Sequence, residues 1–172
     1  MKFFFVFYLF FFMQFKTIVS ANNIVYLDLN KIMSTSISGF SLIQQLNQID
    51  QQNVKVLNKN LKQLKDKDAK LLSQKNILSE LEFKNKINKL RKEVELHKKN
   101  KQKTINDLNK IRIKHTNDLL KSINEVLSEY STKNSISIIL KKKDIVIGKT
   151  DLDITDQILN LVNNKIKEVK IK

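Results

Sequence analysis

From Ser41 to about Tyr130 the chain runs for ninety residues without a proline or a glycine. These two residues are the strongest punctuation of backbone structure, so a stretch lacking both and dense in Lys, Asn, Gln and Leu is predicted to be long helix. Its one internal stop signal is Ser79-Glu80-Leu81-Glu82. A Ser at the cap with a Glu three residues later can satisfy two orphan backbone donors and begin a new helix. Asn76, just upstream, tolerates a turn conformation. The reading is a helical hairpin over 41–130 with its tip near 76–79.

Leu46, Asp50, Val54, Leu57, Leu61, Leu64, Asp68, Leu71, Lys75 and Leu78 follow spacings of three and four, the seam of a coiled coil. Three of these ten are polar, so the seam is intermittent, and an ordinary solvated amphipathic helix gives the same pattern. The return helix shows Phe83, Ile87, Leu90 and Val94, then a polar patch at His97, Lys101 and Thr104. The seam resumes at Leu108 and Ile111, and again at Leu119, Ile123, Val126 and Tyr130. At 1.5 Å per residue the two arms would be about 57 and 78 Å long. The excess length places the end of the return helix in a body at the base.

Both flanks change period. Ile24-Val25-Tyr26-Leu27-Asp28-Leu29 reads as a first strand. Asn30 is placed to cap a short turn over 31–34, and Ser34 to Gly39 reads as a loop. After Lys133-Asn134 the runs 136–140 and 145–147 look like two strands joined by Lys141 to Asp144, a β-hairpin. Asp153 is the expected N-cap of a last helix that turns Ile158, Leu161, Val162 and Ile166 inward. The fold class is therefore α+β: a small discontinuous body from 22–40 and 131–172, with the first strand paired to the last two and a hairpin protruding.

Residues 1–21 read as an export signal. Lys2 is followed by thirteen almost wholly apolar positions, Phe3 to Phe15, and Val19-Ser20-Ala21 offers a small-residue cleavage site. Thirteen residues fall short of the ~20 a spanning helix needs. Cleavage near Ala21 would remove eight of the ten Phe, leaving Phe40, Phe83, Tyr26 and Tyr130 as the aromatics of a small core. It would leave 30 basic against 17 acidic side chains, a net charge of +13. That balance predicts an acidic partner: anionic lipid, lipopolysaccharide or acidic polypeptide, with nucleic acid least expected after export. With no cysteine, disulfides and an N-terminal lipid anchor are excluded.

Constellations that carry chemistry are missing. Gly148-Lys149-Thr150 looks like the end of a phosphate-binding loop, but Lys143 stands where that loop needs glycine, and a turn follows where it needs a helix. His97 and His115 are 18 residues, or five turns, apart, so they share a helix face at ~27 Å and cannot hold one metal. Asp151, Asp153 and Asp156 are accounted for by turns and caps. No catalytic, metal or cofactor site is expected, and the chain is not read as an enzyme. What remains is charge. Lys84, Lys86, Lys89, Arg91 and Lys92 lie beside the tip, continued by Lys98 and Lys99, and residues 75–103 hold ten basic against four acidic side chains. Acidic partners at i+4 are scarce there, so internal pairing does not absorb the excess. A solvated helix face and a contact surface for anionic lipid or client both fit.

The order of a signal peptide, Ile24-Val25-Tyr26-Leu27-Asp28-Leu29-Asn30-Lys31-Ile32, a charged helical hairpin, a β-hairpin and Asp153-Ile154-Thr155 opening a last helix resembles the Skp/OmpH family of periplasmic outer-membrane-protein chaperones. The tip Ile77-Leu78-Ser79-Glu80-Leu81-Glu82-Phe83 belongs to the same likeness. The resemblance implies a jellyfish-like homotrimer. Its body would be built from Ile24, Tyr26, Leu27, Ile138, Ile139, Leu140 and Val146, with the hairpins as tentacles. It implies an ATP-independent holdase for unfolded outer-membrane proteins. Two rivals stand beside it: a scaffolding coiled coil of the cell envelope without clients, and a cytosolic nucleic-acid-binding coiled coil tethered by an uncleaved 1–21.

Overall fold

The computed structural model describes residues 23–171; the expected export signal and its cleavage site near Ala21 lie outside the described residues. The order is β1 (Asn23–Leu27), α1 (Leu29–Thr35), α2 (Ile37–Ser73), α3 (Glu80–Lys133), β2 (Ile136–Lys141), 3-10 turns at Lys142–Asp144 and Thr150–Leu152, and α4 (Thr155–Lys165). Helix dominates, with one two-stranded sheet.

The chain between β1 and α2 corrects two sequence expectations. Asp28 and not Asn30 caps α1, its carboxylate accepting from the Lys31 N–H at 2.9 Å. The segment Ser34 to Gly39 is helix on both sides of one extended residue, Ser36, and not a loop. The Ser36 backbone closes α1 through Ile32 while its hydroxyl accepts from the Gly39 N–H at 3.1 Å, opening α2. One residue thus serves two helix ends, which is why no longer linker is needed. Gly39 lies in the first turn of α2, where an added Cβ would come 1.9 Å from the Met33 carbonyl oxygen. That close crossing is what requires glycine there.

α2 and α3 form the antiparallel hairpin. The reversal falls between Ser73 and Glu80, and Ser79 closes a full capping box with Glu82. The Ser79 hydrogen bonds hold the Glu82 carboxyl below its ordinary range. The buried line of α2 differs from the expected seam. Leu42, Leu46, Ile49, Leu57, Leu64 and Leu71 turn inward to varying depth, whereas Asp50, Val54, Leu61 and Asp68 face water. Spacings of three and four fit either line, and the cluster at the base selects the register by burying Leu42 and Leu46.

The core sits at that base. Ile32 of α1, Leu119 and Ile123 of α3, and Ile158 and Val162 of α4 are fully buried, with Val25 and Leu27 of β1 beside them. β1 and β2 pair in parallel, Ile24 opposite Ile138 and Tyr26 opposite Leu140. The expected β-hairpin does not form: β2 ends in the 3-10 turn at Lys142–Asp144, and residues 145–147 are irregular. The second edge of β1 is occupied by Asp153 and Ile154 instead. Tyr26 bridges to Asp153, and the Ile154 N–H donates to the Tyr26 carbonyl at 2.9 Å. The 145–148 segment passes over the Tyr26 ring, where a Cβ on Gly148 would lie 2.8 Å from Cε1. The Tyr26 hydroxyl donates to the Lys149 carbonyl at 3.0 Å.

Asp153 also differs slightly from its expected role: Ile154 holds the capping position of α4, and Asp153 acts one residue earlier. Its carboxylate accepts from the Thr155 N–H at 3.0 Å, from the Thr155 hydroxyl, and from Lys142 Nζ at 2.7 Å. Burial opposes the charge of this carboxyl, but the hydrogen bonds from Lys142 and Thr155 outweigh it. They hold the group below its ordinary value of 3.8.

Two outcomes follow. Gly39→Ala is expected to cost about 1–3 kcal/mol by overpacking, read as a lowered thermal midpoint; an unchanged midpoint would mean that the α1–α2 crossing yields freely. Asp153 has a lowered folded pKa, so its contribution is whole above the ordinary 3.8 and is lost as pH falls through the folded value. Asp153→Asn is therefore expected to destabilise at neutral pH and to converge with the parent chain in acid. Parallel melting curves down the pH series check this, and a gap that persists at the acid end would refute it.

Candidate functional site

Two surfaces stand out from the fold, one on the arms and one on the sheet. On α3 the side turned to α2 carries Phe83, Ile87 and Leu90. At 100° per residue, Arg91 and Lys98 fall on one flank of that line, and Lys86 and Lys89 on the other. Each flank opens into a groove. The larger, of about 740 Å³, lies midway along the hairpin between Leu61 and Leu64 of α2 and Ile87, Leu90 and Val94 of α3. Arg91, Lys98, Lys101 and Lys65 rim it, with Asp68 and Glu95 as its acids and His97 as a further lining residue. The smaller, of about 300 Å³, is lined by Leu71, Leu90, Lys86 and Lys89 near the tip. Both are open furrows and not enclosed chambers.

All seven cations singled out in the sequence are exposed. The structure brings Arg91 and Lys98 to the larger groove and Lys86 and Lys89 to the smaller. Lys84 and Lys92 line neither. Lys99 is engaged with Glu95 at 2.9 Å, one turn away. Lys67 of α2 crosses to Glu93 of α3 at 2.6 Å, and this hydrogen bond keeps the Glu93 carboxyl below its ordinary range. Lys89 also faces the Glu93 carboxylate, and Lys86 faces that of Glu82.

The sequence reading missed the contribution of α2. Phe40, Ile43, Val54 and Leu61 are exposed and lie at spacings of 3, 11 and 7, each close to whole helical turns. They form a sparse apolar stripe beside the buried seam. Val54 and Leu61 had been read as seam residues; the missing signal was register, which only the base supplies.

On the sheet, Leu27 is buried and Ile139 half-buried in the chain's own core, while Tyr26 is buried beneath the 145–149 segment. Ile24, Ile138 and Leu140 lie on the outer face, each more than 40 % exposed. Val146 is fully exposed in the irregular segment, with Ile147 beside it. Among the described residues no strand pairs with the outer edge of β2, and the sheet has two strands. Among the described residues no group of three or more His, Asp or Glu side chains is arranged to hold a metal ion, and no helix is long and apolar enough to cross a membrane.

Comparison with known proteins gives a family and a similar solved fold. The family described as outer membrane protein (OmpH-like) matches residues 23–162. The crystal structure of a candidate OmpH-like outer membrane chaperone from Caulobacter crescentus CB15 superposes with a TM-score of 0.81 at 15 % identity. It covers 86 % of this chain and 88 % of that one, and at that identity the likeness speaks for the fold. The search of curated proteins returned no match.

The larger groove combines apolar walls with a cationic rim, so an anionic aromatic dye such as anilinonaphthalene sulfonate is expected to bind and brighten there. Leu90→Ser with Arg91→Glu is expected to weaken that signal by roughly tenfold in affinity. Dye binding that ignores both substitutions would show that the groove closes in solution.

Proposed function

The chain belongs to the OmpH-like outer membrane protein family, and on that premise we propose that it is an ATP-independent periplasmic holdase for unfolded outer-membrane proteins. Residues 1–21 direct export in this reading and are removed near Ala21, and the remaining chain is not an enzyme. The observation that carries the proposal is the pairing on one hairpin of shallow apolar furrows with an excess of cations over acids on both sides.

A holdase has to cover apolar strands and then let them go. Deep, closed pockets would bind too tightly, whereas many shallow contacts release one by one. The stripe of Phe40, Ile43, Val54 and Leu61 supplies such contacts. The cations Lys84, Lys86, Lys89, Arg91, Lys92, Lys98 and Lys99 attract acidic unfolded chains over about 8–10 Å at physiological salt. They would attract anionic lipid or lipopolysaccharide by the same force.

The outer face of the sheet supports a homotrimer. Ile24, Ile138 and Leu140 together with the open edge of β2 are what a single copy leaves unburied. Three copies meeting there would bury them and set three hairpins around a shared space, the jellyfish arrangement. Val146 and Ile147 would join the interface from the irregular segment. Three arms acting together raise affinity through effective concentration, with no tight single site.

Light scattering on the chain from Asn22 tests both parts. A mass near three subunits and suppressed aggregation of a urea-diluted outer-membrane barrel, without ATP, are expected. Ile138→Lys is expected to lower the mass to that of one subunit. Client affinity is expected to fall at least tenfold between about 50 mM and 0.5 M salt. A monomer or dimer that leaves barrel aggregation unchanged would favour the envelope scaffold, and salt-independent binding would remove electrostatic capture.

A further inference from the structure

Beyond α4 the chain does not trail into solvent. Ile166, Val169 and Ile171 are half-buried against the core, while Lys167, Glu168 and Lys170 face water. The segment is extended and belongs to neither the sheet nor a helix. It is held by a single side chain of α2. Gln45 Nε2 donates to the Val169 carbonyl at 2.5 Å, and Gln45 Oε1 accepts from the Ile171 N–H at 3.0 Å. The same Nε2 meets the Ser41 hydroxyl at 3.1 Å and the Ser41 carbonyl at 3.3 Å, which fixes the orientation of the amide.

This geometry copies a neighbouring strand. In a parallel ladder one residue donates to a carbonyl of the neighbouring strand and accepts from the N–H two residues further along it. Here the Gln45 amide does both, toward the residues on either side of Lys170. Such a clamp reads backbone alone and is indifferent to side-chain identity. Selectivity comes only from the apolar positions beside it, Val169 and Ile171, which alternate with exposed Glu168 and Lys170. An alternating extended segment is also what an unfolded transmembrane β-strand presents, apolar on one side and polar on the other.

We propose that the Gln45 cleft is a peptide-binding groove which the chain's own 166–171 segment occupies, and that an extended, alternating segment of unfolded polypeptide displaces it. The nature of that polypeptide rests on the holdase reading; the groove itself does not. Capture at this cleft would place a client strand at the foot of the hairpin. The tail then acts as a competitor that keeps the groove covered when no client is present.

The probe is a fluorescein-labelled peptide of the tail sequence, Ile-Lys-Glu-Val-Lys-Ile-Lys. A chain ending at Lys165 is expected to bind it at least tenfold more tightly than the full chain, by anisotropy. Gln45→Ala in that shortened chain is expected to lose about tenfold, and a peptide with serine at its Ile and Val positions is expected not to bind. A folded shortened chain that binds no better than the full chain overturns the proposal, as does equal binding of the serine peptide. Should the shortened chain unfold, hydrogen exchange on the full chain decides. Excess peptide is expected to speed exchange of the Ile171 N–H at least tenfold, and unchanged exchange overturns the groove. None of these readouts involves an outer-membrane client, so failure of the holdase reading would show separately, in the aggregation assay.

Discussion

The body of this protein depends on three consecutive residues, Asp153-Ile154-Thr155. They join parts of the chain more than a hundred residues apart. The Asp28 N–H donates to the Thr155 hydroxyl at 2.9 Å across 127 positions, and the Ile154 N–H takes the free edge of β1. The Asp153 carboxylate holds Lys142 at the end of β2 and the first turn of α4 at once. A hairpin of this length sets the two ends of the body far apart in sequence. Closing that loop costs entropy that grows slowly with length, and the return has to come from contacts made where the ends meet. Hydrogen bonds around one carboxylate fix the alignment, while Ile154 itself goes into the apolar cluster. The polar net specifies, and the burial of Ile32, Leu119, Ile123, Ile158 and Val162 stabilises.

Outward from the body the balance changes. Along most of α2 roughly one side chain per two turns reaches the partner helix, and Asn53, Glu93, His97 and Thr104 occupy partly buried positions among them. A polar residue in a seam loosens packing and sets register at a cost in stability. The Lys67–Glu93 bridge adds an exposed cross-arm link whose worth is small in water. Stability therefore falls from base to tip, and local opening is expected first at the distal end. The capping box at Ser79 acts against this by satisfying the first backbone donors of α3.

How much of this could be read from the sequence depends on whether a signal was local. Ser79 with Glu82 is a local signature, and the turn lies there. The apolar runs at 24–29 and 136–140 carry their own β-propensity, and strands form at Asn23–Leu27 and Ile136–Lys141, although Leu29 opens α1 and is not the end of the strand. The run 145–147 carries the same propensity and is not one: the chain there passes over the Tyr26 ring, and the second edge of β1 is filled by Asp153 and Ile154. Gly39 looked like the end of a loop because glycine usually marks one; here it marks a crossing, visible only once the Met33 carbonyl is in place. The α2 register failed for a related reason. Spacings of three and four fix a period but not a phase, and Leu42 with Leu46 sets the phase through the body. The cations were legible as a group, yet their sorting onto two flanks required the partner helix. Gln45 carried no signal at all, since its meaning lies in a backbone 124 residues away.

The same feature that weakens the hairpin is the one its proposed work requires. A continuous leucine seam would stiffen the two helices and bury every apolar side chain between them, leaving a charged rod. Interrupting the seam leaves gaps of the kind seen between Leu61, Leu64, Ile87 and Leu90, with apolar walls partly open to water. Lys and Arg beside the gaps do two things. Their alkyl stems cover part of the apolar wall, and their charged ends stay hydrated, which keeps such surfaces from sticking to one another. The net charge of +15 adds repulsion between copies at long range. An acidic or alternating chain finds both attractions together, whereas a second copy of the arm finds the apolar one opposed by like charge. In the proposed holdase, selection for foreign chains over self would follow from where the seam is broken and what stands beside each break.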